Sequence, residues 1–369
     1  MTVDATPLVG PMTGVGRYVE GLLGELEPAA SRRGEELTLR AAILSARRRK
    51  LERAGAPPVT GLPVPARLLR RAWSRADAPP VELVVGRCDV FHGTNFVSPP
   101  TLRAAEVLTI HDLAYERHRD TVGHESLAYR ALVPRALNRG AVVVTPSAAT
   151  RDAVCDFYRL AAERVVVTPL GVDDVWRTAA PLSREGLARL GVPSDYFLFV
   201  GTVEPRKNLP VLVEAYRRMA SCCSDPPALV LAGPAGWARL PAVERDLPGL
   251  VQVGWVEQQV LCGLVAGARA VALVSRDEGF GLPVVEAMTS GRPVVVSDIP
   301  ALREVAGDLG VVVPVDDVDA LAHALAVLAE QEDSESGQRG RRDWAARWTW
   351  RACAEATLDA YRLALEGRR

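Results

Sequence analysis

The 369-residue chain lacks most of the spacings that mark metal, thiol or serine chemistry. Its six cysteines include no CxxC pair, which leaves out the common zinc and dithiol frameworks. The neighbours Cys222 and Cys223 are poorly placed to bridge. Scattered thiols in a chain this long suit a reducing cytoplasm, most of them serving as small buried hydrophobes. Only five histidines occur, with no HExxH, and there is neither a Walker A loop nor a GxSxG elbow. No apolar run reaches the ~18 residues that a membrane span needs. The N-terminus has no basic start followed by an apolar core, so no secretory signal is read there. A net charge of −1 offers no overall field for nucleic acid. Low-complexity sequence is confined to "EQEDSESGQRGRRD" (330–343), which reads as an exposed polar connection.

What is present is globular: 48% hydrophobic and 24% charged residues, in a chain long enough for two domains. Short β-branched runs alternate with longer helical patterns. In the first half the predicted strands are 2–4, 37–44, 88–92, 107–110, 141–145 and 165–168. In the second half they are 196–200, 228–232, 250–253, 270–274, 293–297 and 310–313. The first, in "MTVDATPL", is a stub before Pro7; either the strand is short or the true start lies upstream. Runs such as "AVVVT", "RVVVT" and "RPVVVS" are continuously apolar, as in strands covered on both faces of a parallel sheet. Strand–helix alternation in both halves predicts an α/β protein of two doubly wound, Rossmann-like domains. The polar stretch at 171–196 is the predicted join. The pattern "DWAARWTWRACAEATLDAYRLALEG" predicts a terminal helix that buries an aromatic stripe.

In such sheets ligands bind at the carboxyl ends of the strands, and four segments there carry candidate chemistry. In "GPMTGVGRY", Gly14 and Gly16 open a helix running from Val15 to about Leu26, where amides favour an anion; an ordinary strand-to-helix turn explains them equally well. In "LTIHDLAY", His111 ends a strand and could donate to a sugar hydroxyl or a developing charge. In "FVGTVEPRKNL", Arg206 and Lys207 precede a helix, and two cations there suit a diphosphate. In "DEGFGLPVVEAM", Glu278 lies in a loop and Glu286 about one turn inside the next helix, with Pro283 in its first turn. A carboxylate accepts from both hydroxyls of a vicinal diol, so two acids at this spacing fit the two sugar rings of a nucleotide sugar. The pair Asp317 and Asp319 opens a helical run and reads as a cap, not as a metal site.

The segment "EGFGLPVVEAM" resembles the E-x7-E motif of the retaining glycosyltransferases of family 4, which have the GT-B fold. "GTGVGRY", "HDL", "TPSAATRD", "VTPLGVD", "FVGTVEPRKNL" and "SGRPVVVSDIPALREVAGD" follow in the family's order, and the terminal W-x-W helix is similar to its last element. The resemblance covers nearly the whole chain and is weakest at 45–85. It implies two domains facing across a cleft: 1–172 on the acceptor side, 173–345 on the nucleotide-sugar side, and 346–369 as a helix packing back on the first domain. It implies a cytoplasmic, metal-independent hexosyltransferase of polysaccharide biosynthesis that needs no cofactor and retains the anomeric configuration. The acceptor would be a glycan, a lipid-linked sugar or another glycoconjugate; bacterial mannosyltransferase-like members suggest GDP-mannose as donor.

The resemblance makes His111 and Glu278 the catalytic residues at the donor sugar and puts Glu286 on the ribose. Gly279, Phe280, Gly281 and Leu282 would line sugar and phosphates, Arg206 and Lys207 would neutralise the leaving diphosphate, and Gly14 and Gly16 would approach it. Many members carry arginine directly after the glycine that ends the strand; Thr202 stands there, which loads the phosphate role onto Arg206. Two rivals share the fold: a nucleotide-sugar 2-epimerase, whose acid/base set is not evident here, and a non-catalytic nucleotide-sugar-binding protein, against which the intact Glu278, Glu286, Arg206 and Lys207 set argues.

Residues 40–75 hold ten Arg or Lys, namely Arg40, Arg47, Arg48, Arg49, Lys50, Arg53, Arg67, Arg70, Arg71 and Arg75, against Glu52 alone. This segment reads either as a docking face for an anionic membrane or lipid-diphosphate acceptor, making the protein peripheral on the inner face of the cell membrane, or as a solvated face with partners elsewhere.

Overall fold

The computed structural model describes residues 1–10, 12–44, 57–61, 65–118, 123, 126–236 and 247–368. The chain divides into two compact units. One comprises Met1–Arg119, Gly123–Gly171 and Trp348–Arg369; the other is chiefly Val172–Arg347.

Among its described residues the first unit holds a seven-stranded sheet: β1 (Thr2–Asp4), β2 (Arg40–Ala42), β3 (Val59–Thr60), β4 (Val90–Gly93), β5 (Ala105–Thr109), β6 (Val142–Thr145) and β7 (Val165–Val167). Their order is β3-β2-β1-β4-β5-β6-β7 and every pairing is parallel. The second unit holds six strands: β8 (Tyr196–Val200), β9 (Ala228–Ala232), β10 (Leu250–Gly254), β11 (Ala270–Leu273), β12 (Val294–Ser297) and β13 (Val311–Val313). They lie in the order β10-β9-β8-β11-β12-β13, again all parallel. Strands β6, β8, β9 and β12 are buried along their whole length because helices cover both faces, whereas the valine runs of the edge strands β7 and β13 are only partly buried. Chain direction across each sheet reverses once, between β1 and β4 and between β8 and β11. Those are the switch points where doubly wound sheets open a crevice.

Helix α1 (Gly14–Arg32) runs past the expected end at Leu26 and through Pro28. Its buried face, Val19, Leu22, Leu23, Leu26, Ala29 and Ala30, continues beyond the proline, so packing overrides the lost backbone bond. The two-residue edge strand β3 has too short an apolar run to show in the sequence. Of the basic segment, helix α2 (Ala66–Trp73) is described, whereas Arg47–Lys50 and Arg53 lie outside the described residues.

Two expectations are corrected. The polar stretch 330–343 is largely helix, Glu335–Ala345. Ser334 caps it by accepting from the Gly337 amide at 3.1 Å, and buried Arg341 pairs with Asp333 and donates to the Gly291 carbonyl at 2.9 Å. Two glycines had masked a capped helix. The tryptophan-rich tail is two helices: Thr349 starts the second, Trp350–Glu366, by accepting from the Ala352 amide at 3.1 Å. Trp344 stays in the second unit, donating from its indole to the Val305 carbonyl at 2.7 Å. The last helix belongs to the first unit, tied by Tyr361 to His92 (2.8 Å) and by Asp359 to Arg33 at the end of α1 (2.7 Å). Asp317 caps its helix as expected, accepting from the Ala320 amide at 2.9 Å. All six cysteines are free thiols.

Candidate active site

In the second unit, the segments after β8 and β11 meet at the β8/β11 switch point. A short 3-10 turn after β8 carries Arg206 and Lys207 and ends at Asn208, whose left-handed backbone starts helix α3 (Leu209–Cys222). After β11 the chain bears Ser275 and Glu278. The Glu278 carboxylate accepts from Lys207 Nζ at 2.6 Å, from Arg206 at 3.0 Å and from the Ser275 hydroxyl at 2.7 Å. Arg206 also donates to the Asp277 carbonyl at 2.7 Å and to Glu204 at 2.8 Å.

Glu278's side chain is only 8% exposed. Burial by itself would raise its carboxyl, but the charges of Lys207 and Arg206 outweigh that and hold it at about 2. The group is therefore a fixed carboxylate and a poor general acid at neutral pH. Two cations and two carboxylates (Glu204 and Glu278) leave the cluster with no net charge. Their place in the sequence assigns Arg206 and Lys207 wholly to a ligand. In the folded protein they already share Glu278.

Gly279, Phe280, Gly281 and Leu282 continue directly from this cluster, all four buried. Gly281 precedes helix α4 (Leu282–Thr289) with φ of 100°, and a Cβ there would meet Leu302 at 2.6 Å. Only glycine fits such a turn. Glu286 sits in the middle of α4, 2% exposed. Two supporting residues escaped the sequence reading. Ser275 had no signal beyond its place at a strand end; Glu204, two residues before Arg206, could have been suspected as its partner.

In the first unit, His111 follows β5 and is half-buried. Its Nε2 lies 2.8 Å from the Thr94 carbonyl, which can only accept, so Nε2 carries the proton and Nδ1 of the neutral ring keeps the lone pair. Tyr18 and Phe96 pack edge-on against the ring, with centroids 5.2 and 5.5 Å away. Burial lowers the His111 pKa, opposed by the Thr94 carbonyl and the Asp112 charge. Asp112 itself accepts from the Ala114 amide at 3.0 Å and so serves the turn that follows. Behind His111 lies a buried network that the sequence did not announce: Tyr18 to Thr109 (3.0 Å), Thr109 to His92 (2.8 Å) and His92 to Tyr361 (2.8 Å). Burial, with the nearby His111, pushes His92 down to about 3.

Gly14 is exposed at the first position of α1. Gly16 is buried and its amide donates to Thr13 Oγ1 at 3.2 Å, so the helix start is capped from within the chain.

Residues 12–176 match the family described as Glycosyltransferase Family 4, and residues 194–331 match Glycosyl transferases group 1. The chain is 31% identical over 307 residues to the O-antigen chain mannosyltransferase B of Escherichia coli, an alignment covering 80% of this chain and 77% of that protein. It is 29% identical over 227 residues to a GDP-mannose:cellobiosyl-diphosphopolyprenol alpha-mannosyltransferase of Xanthomonas campestris, covering 56% of this chain and 60% of that one. Among solved structures, a glycosyltransferase from Rickettsia africae superimposes with a TM-score of 0.71 at 15% identity, covering 99% of this chain and 98% of the other.

Proposed function

The chain belongs to glycosyltransferase family 4, and from that premise we propose that it moves a hexose, first of all mannose from GDP-mannose, onto a glycan or lipid-linked glycan with retention of anomeric configuration and without a metal. The carrying observation is the ionised Glu278 clamped by Lys207 and Arg206 at the β8/β11 switch point, with buried Glu286 eight residues on.

In this reading a donor diphosphate enters beside Arg206 and Lys207 and draws their charge outward. Glu278 then accepts from hydroxyls of the donor sugar and Glu286 from the ribose. The acceptor oxygen bonds to the anomeric carbon as the bond to the phosphate oxygen breaks, both on one face of the ring. The acceptor's proton passes to the departing phosphate oxygen. The protein's part is to hold the partners and stabilise charge. His111, which follows β5 in the first unit, is in this reading a neutral group with a free lone pair for a sugar hydroxyl.

Incubation with GDP-, UDP- and dTDP-sugars, reading nucleoside diphosphate release, tests the activity. Proton NMR of the product then reads its anomeric configuration. Conversion of the donor sugar to its 2-epimer, or binding with no turnover at all, would replace this reading.

We extend the proposal to an anionic membrane surface, as suits a lipid-linked acceptor. On α2, Arg67 and Arg71 are exposed beside Leu68, which is 63% exposed. No helix among the described residues is long and apolar enough to cross a membrane. Flotation with phosphatidylglycerol liposomes is expected to carry the protein upward at low salt and release it at high salt. Equal flotation with neutral liposomes would remove this extension.

A further inference from the structure

The Glu278 cluster lies where the strands of the second sheet end. Where they start, the same unit opens on a cavity of about 650 Å³, within the usual range for small-ligand pockets. Its walls come from residues just before β8, β11 and β12, from Leu309 and Val311 at β13, and from the connection between the helices Val318–Glu330 and Glu335–Ala345. Arg269 at this end and Ser275 beside Glu278 are six residues apart along β11, roughly 20 Å of extended chain. The cavity is therefore separate from the donor cluster.

Three arginines line it, and the chain fixes where each stands. Gly291, with φ of 79°, ends α4, and the Arg292 amide closes that turn by donating to the Ala287 carbonyl at 2.8 Å. β11 and β12 pair Val271 with Val294, so Arg269 and Arg292 enter the sheet side by side, each two residues before its valine. Arg269 forks onto Asp195, with both nitrogens at 2.7 Å. Buried Arg341 is held by Asp333 and by the Gly291 carbonyl. Arg292 differs. Its Nε is buried without a hydrogen bond, and among the described residues no carboxylate is bonded to it. Burial lowers its pKa; Asp333 opposes this, and the charges of Arg342 and Arg341 add to it. One oxygen of Asp333 is likewise buried without a hydrogen bond. Leu309 and Val311, 41% and 37% exposed, make an apolar wall.

We infer that this cavity is a second anion site, taking a small hydroxylated phosphate monoester such as a sugar phosphate, with its phosphate on Arg292, a hydroxyl on Asp333 and its carbon skeleton against Leu309 and Val311. The inference goes beyond the transferase reading and does not depend on it. A guanidinium cannot give up its proton, so a desolvated one needs an anion beside it. Arg292, Arg341 and Arg342 set three cations against the single carboxylate of Asp333, and a phosphate dianion balances that excess where a carboxylate would not. Phosphate oxygens also match the planar fork of Arg292 bidentately. The start of the helix Glu335–Ala345, with Ser334 and Gly337 on the cavity wall, adds a field of the same sign. A bare anion is the poorer fit, because Asp333 and exposed Glu332 on the wall would repel it. Hydroxyls next to the phosphate turn both acids into acceptors.

Calorimetric titration of the full-length protein with mannose 6-phosphate, glucose 6-phosphate and inorganic phosphate, each alone, tests this. At least one ester is expected to bind, and more tightly than inorganic phosphate. Arg206 and Lys207 are a second place for a phosphate, so Arg292→Gln is compared with Arg206→Gln. Arg292→Gln should weaken the ester about tenfold, the loss of one charge-assisted hydrogen bond. Arg206→Gln should leave the affinity as it was. Thermal melting checks the folding of each variant. Should Arg292→Gln not fold, Arg292→Lys, which keeps the charge and loses the fork, takes its place and should weaken binding in the same direction. Unchanged affinity in the folded Arg292 variant overturns the site, as does binding lost only in Arg206→Gln, which puts the phosphate at the donor cluster. No binding of any of the three compounds overturns it too. Inorganic phosphate binding as tightly as both esters would overturn the roles given to the hydroxyls and the apolar wall.

Discussion

At the scale of single residues, the two acids of the E-x7-E segment have different surroundings and should fail differently. Glu278 holds two cations, whereas Glu286 is enclosed in the middle of α4. Glu278→Gln is expected to lower turnover roughly 100-fold with nucleoside diphosphate affinity nearly intact, the size of loss seen when one fixed charge-stabilising contact is removed. Glu286→Ala should mainly weaken nucleotide binding. Steady-state kinetics with calorimetric titration of the diphosphate separates the two, and loss of affinity alone in both variants would refute the division.

A second residue-scale prediction concerns pH. The folded value of Glu278, about 2, lies below its ordinary 4.5. Its ionisation therefore stabilises the fold fully above about 4.5, and this contribution is lost as pH falls toward 2. Lys207→Met removes the larger attractive charge and leaves burial to raise the carboxyl. The acid limb of the donor-turnover profile should move to higher pH in this variant. A profile that does not move would mean that Lys207 does not set the state of Glu278.

At the scale of elements, helix α4 depends on how it begins. The left-handed Gly281 turns the chain from the charged cluster into the helix, and Leu302 packs where a side chain would be. Gly281→Ala is expected to cost roughly 1–3 kcal/mol, from the backbone strain and the overlap together. Thermal unfolding of the purified variant reads this directly. A variant as stable as the parent would show that the turn can adopt another conformation. Much of this element was legible beforehand: glycine, then proline in the first turn, then an apolar run announce a helix start. The helix at 335–345 was not, because Gly337 and Gly340 and the polar composition suggested a loop, whereas the Ser334 cap and the buried Arg341 hold it as helix.

At the scale of the whole molecule, the chain crosses from the first unit to the second and returns. The last helix places Tyr361 on His92 and Asp359 on Arg33, far away in sequence but within the first unit. Tyr361→Phe leaves a buried imidazole nitrogen without its partner and should cost about 1–3 kcal/mol. Removing 348–369 should cost far more, because it uncovers the apolar surface of the first unit that Leu358 and Tyr361 of this helix cover. Urea unfolding of both variants checks the order. A truncated protein as stable as the parent would mean that the helix adds nothing to the first unit.

The sequence by itself determined the class of fold and the identity of the charged residues. Continuous valine runs demand strands covered on both faces, and helix-start signals with fixed spacing put Arg206, Lys207, Glu278 and Glu286 after strands. Such information is local, carried by neighbours along the chain. Tertiary structure decided which charges share a partner, because β8 and β11 are adjacent in the sheet but some seventy residues apart, as the 71-residue separation of Lys207 and Glu278 records. It also decided the tautomer of His111, through a carbonyl on the neighbouring strand's loop, and a cavity at Asp4, whose walls come from four separate segments at 4–7, 44, 66–73 and 95–97. Periodicity reveals which face of an element is buried. Pair distances, desolvation and cavities arise only when distant segments are packed together.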